Sequence, residues 1–456
     1  MSKPRRSNSR LSRPDRLKCL VVGSGGREHA LVWRLHKSKS VERVYTTCHS
    51  AEMNPGIRSI AMAVDAPFAM DELYRFEQFI AKEGIHFVVV GPEVPLAEGI
   101  VDKLSESRAI AEAGHPFAVF GPTQAGAQLE SSKAWAKELM RGALIPTGDA
   151  RVFKEVRDAK AYLKSRDEPQ VIKASGLAAG KGVVLPETLE EALETVDSMM
   201  GARVFGEAGA EVLIEEKLSG PEVSVFALCD GRNVVLLEAC QDHKRAYEGD
   251  LGPNTGGMGA YCPAALLDEK TYDSVVREIV VPTVDALRRE GVEYRGVLYV
   301  GLMLTPGGPK VLEYNCRFGD PECQALVRTI KGDFGDLLWK CATGGLEEAE
   351  FETSDEAAVV ITLASEGYPG EYKKGLVIEG IEEAEQVEGV VVFHAGTARV
   401  DGKTVTAGGR VLSVTAVGET VAAARERAHK ACEKISWPGM HWRRDIGHQA
   451  IGVGVH

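Results

Sequence analysis

VIKASGLAAGKGVVL, residues Val171–Leu185, decides how the rest of the chain is read. Two short runs of strand-forming residues flank a tip holding Gly176, Leu177, Ala178, Ala179, Gly180, Lys181 and Gly182. Runs this short joined by glycine read as a hairpin and not as a strand–helix crossover. A tip with almost no side chains leaves backbone N–H groups free to close over an anion. Lys173 precedes it on the first strand and Lys181 lies inside it. The P-loop pattern is not met, because Gly176 to Gly180 is one residue short and Gly182 follows Lys181 where Ser or Thr is needed.

Outward from this flap, two acidic stretches matter in its company. EEKLSGPE, Glu215–Glu222, ends a strand in paired acids and turns at Gly220-Pro221. Alone, a solvated acidic turn would look the same. VLEYNCRFGDPE, Val311–Glu322, is more specific. In a strand Glu313 and Asn315 share one face, and Arg317 joins them if the strand continues. A carboxylate beside an amide oxygen suits a hard cation such as Mg²⁺, and such a set on a buried strand is costly without a function. Between these stretches, QDHKR (Gln241–Arg245) gathers Asp242, His243, Lys244 and Arg245, and Thr255–Met258 forms another glycine loop with Gly256 and Gly257. Read singly, His243 is also consistent with a surface histidine.

Towards the N-terminus the pattern changes to alternating strands and helices. LKCLVVGSGGREHALVWRLHKS reads as strand, glycine turn and helix, and HFVVVGPEVPLAEGIVDKL repeats the pattern. Such alternation predicts a parallel sheet with helices on both faces, and ligands bind at the carboxyl ends of its strands. Both turns, Gly23-Gly25-Gly26 and Gly91-Pro92-Glu93, fall at that edge. Arg27, Glu28 and His29 follow the first. GSGGREHA lacks the third glycine of a dinucleotide fingerprint, since Glu28 stands there, so a phosphate-bearing ligand and a purely structural turn both stay open. From about Glu356, AAVVITLAS, GVVVFHAGT, GGRVLSVTAVG and a helix over Thr420–Lys434 predict a small α+β unit.

Composition excludes several classes. A net charge of −12 argues against nucleic acid as the main partner. No apolar run approaches the ~18 residues that span a membrane. None of the nine cysteines sits in a C-x-x-C pair, as zinc knuckles and thioredoxin-like sites require, so free thiols in a reducing cytoplasm are expected. Met1–Arg16 carries six basic residues against Asp15. No apolar core follows Arg5-Arg6, as an export signal needs. A transit peptide stays open, and a disordered extension with nothing to bury is expected.

A glycine flap between lysines, an acidic hinge and a Glu-x-Asn strand together resemble the ATP-grasp fold. The words GGREHA, GPEVPL, KASGLAAGKGV, QDHKR, GPNTGGMGAY, EYNCRFGDPE, GYPG, VFHAGT and GGRVL resemble the phosphoribosylamine–glycine ligase family, in its order, from about Leu17 to Ile451. The resemblance implies a multidomain α/β and α+β chain. A doubly wound parallel-sheet substrate domain would cover 17–120. An ATP-grasp region would cover 121–345, with its flap subdomain at about 145–214, and the C-terminal α+β domain 355–451. It implies ATP, Mg²⁺ or Mn²⁺, and glycine and 5-phosphoribosylamine as substrates. A cytoplasmic, stand-alone monomer is expected.

Residue roles are carried over on the same basis. Lys133, in ESSKAW, and Lys173 would grip ATP phosphates under the flap Gly176–Gly182. Glu215 and the backbone of Glu216 and Leu218 would take adenine, and Glu222 the ribose. Glu313 and Asn315 would bind the metal, Arg317 would steady the transferring phosphoryl group and the acyl phosphate, and the Asp242–Arg245 cluster, with Asp242 and Lys244 catalytic beside Arg317, would lie near the glycine and sugar sites. Gly23, Gly25, Gly26, Arg27, Glu28, His29, Gly91, Pro92 and Glu93 would hold the amino sugar. His243, Gly256, Gly257, Met258 and Asp320 would lie near the glycine and sugar sites. The chain departs from the family at Cys48–Glu52, where a PGNAG-type stretch is usual, at Ser175, where Asp is expected, and at Ser131, where Gly is expected. Rival readings are another ATP-grasp ligase or carboxylase with a different acceptor, or an inactive ATP-binding protein. The second would require loss of a lysine or metal ligand, and Lys133, Lys173, Glu313 and Asn315 are all present.

Overall fold

The computed structural model describes residues 11–50, 52–65, 67–178 and 180–451. Ala179 and the first ten residues of the expected extension lie outside them. The rest of that extension is held. Arg13 pairs with Asp336 at 2.8 Å and Arg16 donates to the Val41 carbonyl at 2.9 Å, because cationic side chains here find a carboxylate and a free strand-end carbonyl.

The N-terminal sheet is parallel, in the order Met62–Ala63, Val41–Thr46, Leu17–Val22, Phe87–Val90, Ala118–Phe120. Strands running continuously apolar, such as Leu17–Val22, are buried on both sides. Strand order reverses between Leu17–Val22 and Phe87–Val90, and that is the crevice where an open α/β sheet binds ligands. Gly23 and Gly91 stand at its mouth, with the helix Gly26–His36 leaving from the first turn.

The predicted flap hairpin is present. Gln170–Ala174 pairs antiparallel with Val183–Val184, in a four-stranded sheet completed by Ala150–Phe153 and Val212–Glu216. Helices Val156–Lys164 and Leu189–Val196 bury Leu163, Ala192 and Val196 against it, so this lid has its own small core. A second antiparallel sheet holds Val234–Leu236, Glu222–Asp230, Arg295–Thr305 and Gly308–Asn315. Its last pair contains a β-bulge: Gly301 faces Glu313, and Leu302 faces Val311. The extra residue, Leu312, turns its carbonyl out of the ladder.

The unit expected over 355–451 is not closed on itself. Its sheet runs Gln241–Asp242, Gly259–Cys262, Ala357–Ala364, Arg410–Gly418, Val390–His394. Two of five strands therefore come from the middle of the chain. Helix Val421–Cys432 covers one face, burying Ala424, Ala428 and Ala431, and helix Glu322–Thr329 packs on the other. Among the described residues no helix is long and apolar enough to cross a membrane.

Candidate active site

All these layers meet at one cavity of about 480 Å³, within the usual range for small-molecule sites. Lys133 starts the helix Lys133–Gly142 and Lys173 sits on the lid strand, so the two ammonium groups enter from different elements. Lys133 Nζ donates to the Gly176 carbonyl at 3.2 Å, which ties it to the root of the flap. Lys173 Nζ donates to the bulged Leu312 carbonyl at 3.1 Å, beside Glu313. Burial pulls the Lys133 ammonium down, and Lys173 adds to this against Glu313 and Glu130. Two ammonium groups lining one cavity suit an incoming polyanion. Leu177, Ala178, Gly180 and Gly182 of the flap line the same space.

Ser175 stands at the flap root where Asp was expected. Its hydroxyl accepts from the Ala134 N–H at 3.3 Å, and its carbonyl accepts from the Lys133 N–H at 2.9 Å. It fastens the flap to the start of the Lys133 helix.

Glu313 and Asn315 both line the cavity. Burial raises the Glu313 carboxyl, but Lys244, Lys173, Lys133 and Arg317 outweigh it and keep the group ionised. Among the described residues no cluster of three or more His, Cys, Asp or Glu forms a ready-made metal cage. One carboxylate and one amide oxygen still fit Mg²⁺ or Mn²⁺, since such ions commonly take their remaining oxygens from water and substrate phosphate. Glu215 is 1% exposed and pairs with Lys173 at 2.6 Å and with Lys137. Its carboxylate thus orders Lys173, while Glu216, Leu218 and Glu222 line the hinge side.

Opposite the lid, Lys244 Nζ donates to Glu222 at 2.8 Å and lies 3.9 Å from Glu313. Burial opposes its charge, yet Asp242, Glu222 and Glu313 hold its pKa well above the usual value. Asp242 is pushed up to about 7 by burial, against Lys244 and with Glu322, Glu222 and Glu313 adding repulsion. Arg317 is gripped by Glu130 at 2.8 Å and Glu93 at 3.2 Å. Asp320 pairs with Arg410 at 3.2 Å. Burial raises its carboxyl, but Arg410 and Arg27 outweigh that and depress it.

The N-terminal residues divide. Arg27 and Glu93 line the cavity. Glu28 is a helix cap: it accepts from the Gly25 N–H at 2.7 Å and pairs with Arg27 at 2.6 Å. A side chain on Gly91, or on Gly23 at φ +113°, would collide with Glu28, so both glycines make room for that cap. His29 turns away from the cavity, against Phe393, and its Nδ1 accepts from the His394 N–H at 2.8 Å. Gly25, Gly26 and Pro92 shape the turns without lining the cavity, as do Gly176 and Lys181 in the flap. His243, Gly257 and Met258 also lie behind the wall, with Met258 in the C-terminal core. The unusual Cys48–Glu52 stretch reaches the C-terminal hairpin instead, where the Glu52 carbonyl accepts from the Arg399 N–H at 2.8 Å.

Glu130, Lys137, Tyr299 and Arg410 also line the cavity, and no motif in the sequence marks them.

A parallel-sheet crevice, a hinged lid over two lysines, and a Glu-x-Asn strand define an ATP-grasp enzyme. Models of the phosphoribosylglycinamide synthetase N domain, ATP-grasp (A) domain and C domain match residues 17–130, 131–323 and 358–449. A phosphoribosylamine–glycine ligase of Rhodopirellula baltica is 49% identical over 95% of this chain and 97% of its own. One from Brucella melitensis is 46% identical, over 95% and 98%. The crystal structure of that ligase from Thermotoga maritima superposes with a TM-score of 0.76 at 33% identity, covering 94% of this chain and all of the other. A biotin carboxylase from Campylobacter jejuni, at 14% identity and a TM-score of 0.70, over 94% of this chain and 93% of its own, shares the fold alone. The chain belongs to the phosphoribosylglycinamide synthetase family.

Proposed function

We propose that this chain joins glycine to 5-phosphoribosylamine at the expense of ATP, through glycyl phosphate, and so serves purine synthesis. The observation that carries this reading is the convergence of two sets of groups in one cavity. Lys133, Lys173, Glu313 and Asn315 suit a nucleoside triphosphate; Arg27, Glu93, Lys244, Arg317 and Asp320 face it across the same space. Glycine's carboxylate is a poor acyl donor because oxide would have to leave. Attack of a carboxylate oxygen on the γ-phosphorus expels ADP and gives the acyl phosphate. The amine of phosphoribosylamine then attacks the carbonyl carbon, inorganic phosphate leaves, and the amine gives up a proton.

The protein's work is positioning and charge neutralisation. Lys133 and Lys173 hold the phosphates beneath the flap. Glu313 and Asn315 would hold Mg²⁺ or Mn²⁺, which would neutralise phosphate charge when bound. Arg317, fixed by Glu130 and Glu93, steadies the transferring phosphoryl group. A closed flap keeps water from the acyl phosphate. Nine free, buried thiols support a reducing cytoplasmic setting, and a monomer is the assembly proposed.

The test is ADP release with ATP, Mg²⁺, glycine and freshly generated phosphoribosylamine, omitting each in turn. ADP formation should require all four. Equal release without the amino sugar, or with bicarbonate replacing glycine, would refute the assignment.

A further inference from the structure

The word QDHKR splits between two faces. Asp242 and Lys244 line the cavity, whereas His243 points backwards and is 2% exposed. Behind it runs the C-terminal segment His441–Gly447. Its contacts with the loop 243–250 are polar and specific. The Gly447 N–H donates to His243 Nε2 at 3.0 Å. Arg443 donates to the Arg245 carbonyl at 3.0 Å and pairs with Asp250 at 2.9 Å. Asp445 accepts from the Gly249 N–H at 2.9 Å and from Arg443 Nη2 at 2.7 Å. The Arg444 N–H donates to Glu248 at 3.0 Å.

Within itself the loop pairs Arg245–Tyr247 with Leu251–Asn254, and Arg245 donates to the Gly252 carbonyl at 2.7 Å. Apolar anchorage is slight: Ala246 is buried, but Tyr247 is half exposed and Leu251–Asn254 is exposed throughout, so the polar contacts from His441–Gly447 fix its place against the rest of the protein. Arg443, by contrast, has a side chain with no solvent exposure. A buried guanidinium is costly, and a core-filling role would be met more cheaply by an apolar residue. Its planar fork instead reads three partners in fixed directions. On the cavity side the Lys244 carbonyl accepts from the Thr255 N–H at 2.7 Å, and its ammonium meets Glu222. The segment that carries Lys244 is therefore held in front by the site and behind by the C-terminal segment.

We propose that Arg443, with His243, Asp250 and Asp445, forms a clamp from the C-terminal segment that positions Asp242 and Lys244 for ligation. Arg443 is a positioning residue and touches no substrate. The imidazole and the guanidinium hold Asp250 well below the usual carboxylate range, so the clamp stays charged at working pH. This inference rests on the reading of Asp242 and Lys244 as part of the ligase site.

The test uses the full chain with Arg443→Ala, Arg443→Lys and Asp250→Asn. Three quantities are read: kcat with each substrate varied, MgADP affinity by calorimetry, and amide hydrogen exchange over 244–255. Arg443→Ala should lower kcat about 100-fold, the cost of an ångström-scale misplacement, with MgADP affinity within about twofold of wild type. Exchange over the loop should accelerate, and Arg443→Lys should fall between. A folded Arg443→Ala with wild-type kcat and wild-type loop exchange overturns the proposal. So does a loss of MgADP affinity matching the loss of kcat, because that is general damage. Should Arg443→Ala fail to fold, Asp250→Asn carries the test from the exposed side of the clamp: a lowered kcat with faster loop exchange supports it, and no change in either overturns it. If wild type itself makes no ADP with glycine and amino sugar, the ligase reading has failed, while the exchange measurements still report on the clamp.

Discussion

Acid should loosen the seam between the N-terminal sheet and the C-terminal unit, and His394 supplies a magnitude. Its imidazole is 8% exposed, and burial lowers its pKa from 6.5 to about 4. A base depressed in this way binds more protons when unfolded. Stability is therefore complete above about pH 6.5 and is lost as the pH falls towards 4. Integrating the linkage relation between those two values gives a loss of about 1.4 kcal/mol at pH 5.5, and almost none at pH 7.5. His394→Asn removes the titration while keeping a polar partner for Thr397, which the imidazole meets at 3.0 Å. Urea unfolding of both proteins at pH 7.5 and 5.5 reads the difference. The variant should lose about 1.4 kcal/mol less than wild type over that interval, whatever its stability at pH 7.5. An equal loss in both proteins would refute the reasoning. His29, whose pKa burial also lowers, faces the same imidazole, so its response should move in the same direction.

Three further outcomes concern the cavity. Glu313→Gln should abolish ADP formation while leaving the circular dichroism spectrum unchanged; near-normal turnover would remove Glu313 from the metal role. Glu130→Gln should lower kcat at least tenfold with ATP affinity preserved, because Arg317 keeps only Glu93 as a charged partner; titration of MgADP alongside turnover separates the two effects. Lys137→Met should destabilise the chain by about 3 kcal/mol, the lower end for breaking a buried pair, since Glu215 retains Lys173; urea midpoints measure it.

Local signals carried most of what could be read in advance. The flap and the Glu313–Asn315 strand were legible because all their information lies within one hairpin or one strand, where spacing translates directly into facing. The parallel sheet was legible from its apolar runs and glycine turns. GGREHA is less uniform than its sequence suggests: of its polar residues only Arg27 lines the cavity, while Glu28 caps the helix and His29 faces Phe393. The same period of two that aligned Glu313 with Asn315 would have set His243 opposite Asp242 and Lys244. Glu130, Lys137 and Arg410 were not legible, since each gains its meaning from a partner 78 or more residues away or on another sheet, as Lys137 does from Glu215.

The shared C-terminal sheet bears on how such chains can be cut and recombined. Removing everything after about residue 345 would strip Gly259–Cys262 of Ala357–Ala364 and leave an unpaired apolar edge beside the cavity, a template for aggregation. A chimera joined at that point would graft a foreign strand against a native one within a single ladder. The workable unit of exchange carries 241–262 along with the C-terminal residues. Modularity in this molecule follows hydrogen-bonded neighbours, and chain order is a poor guide to it.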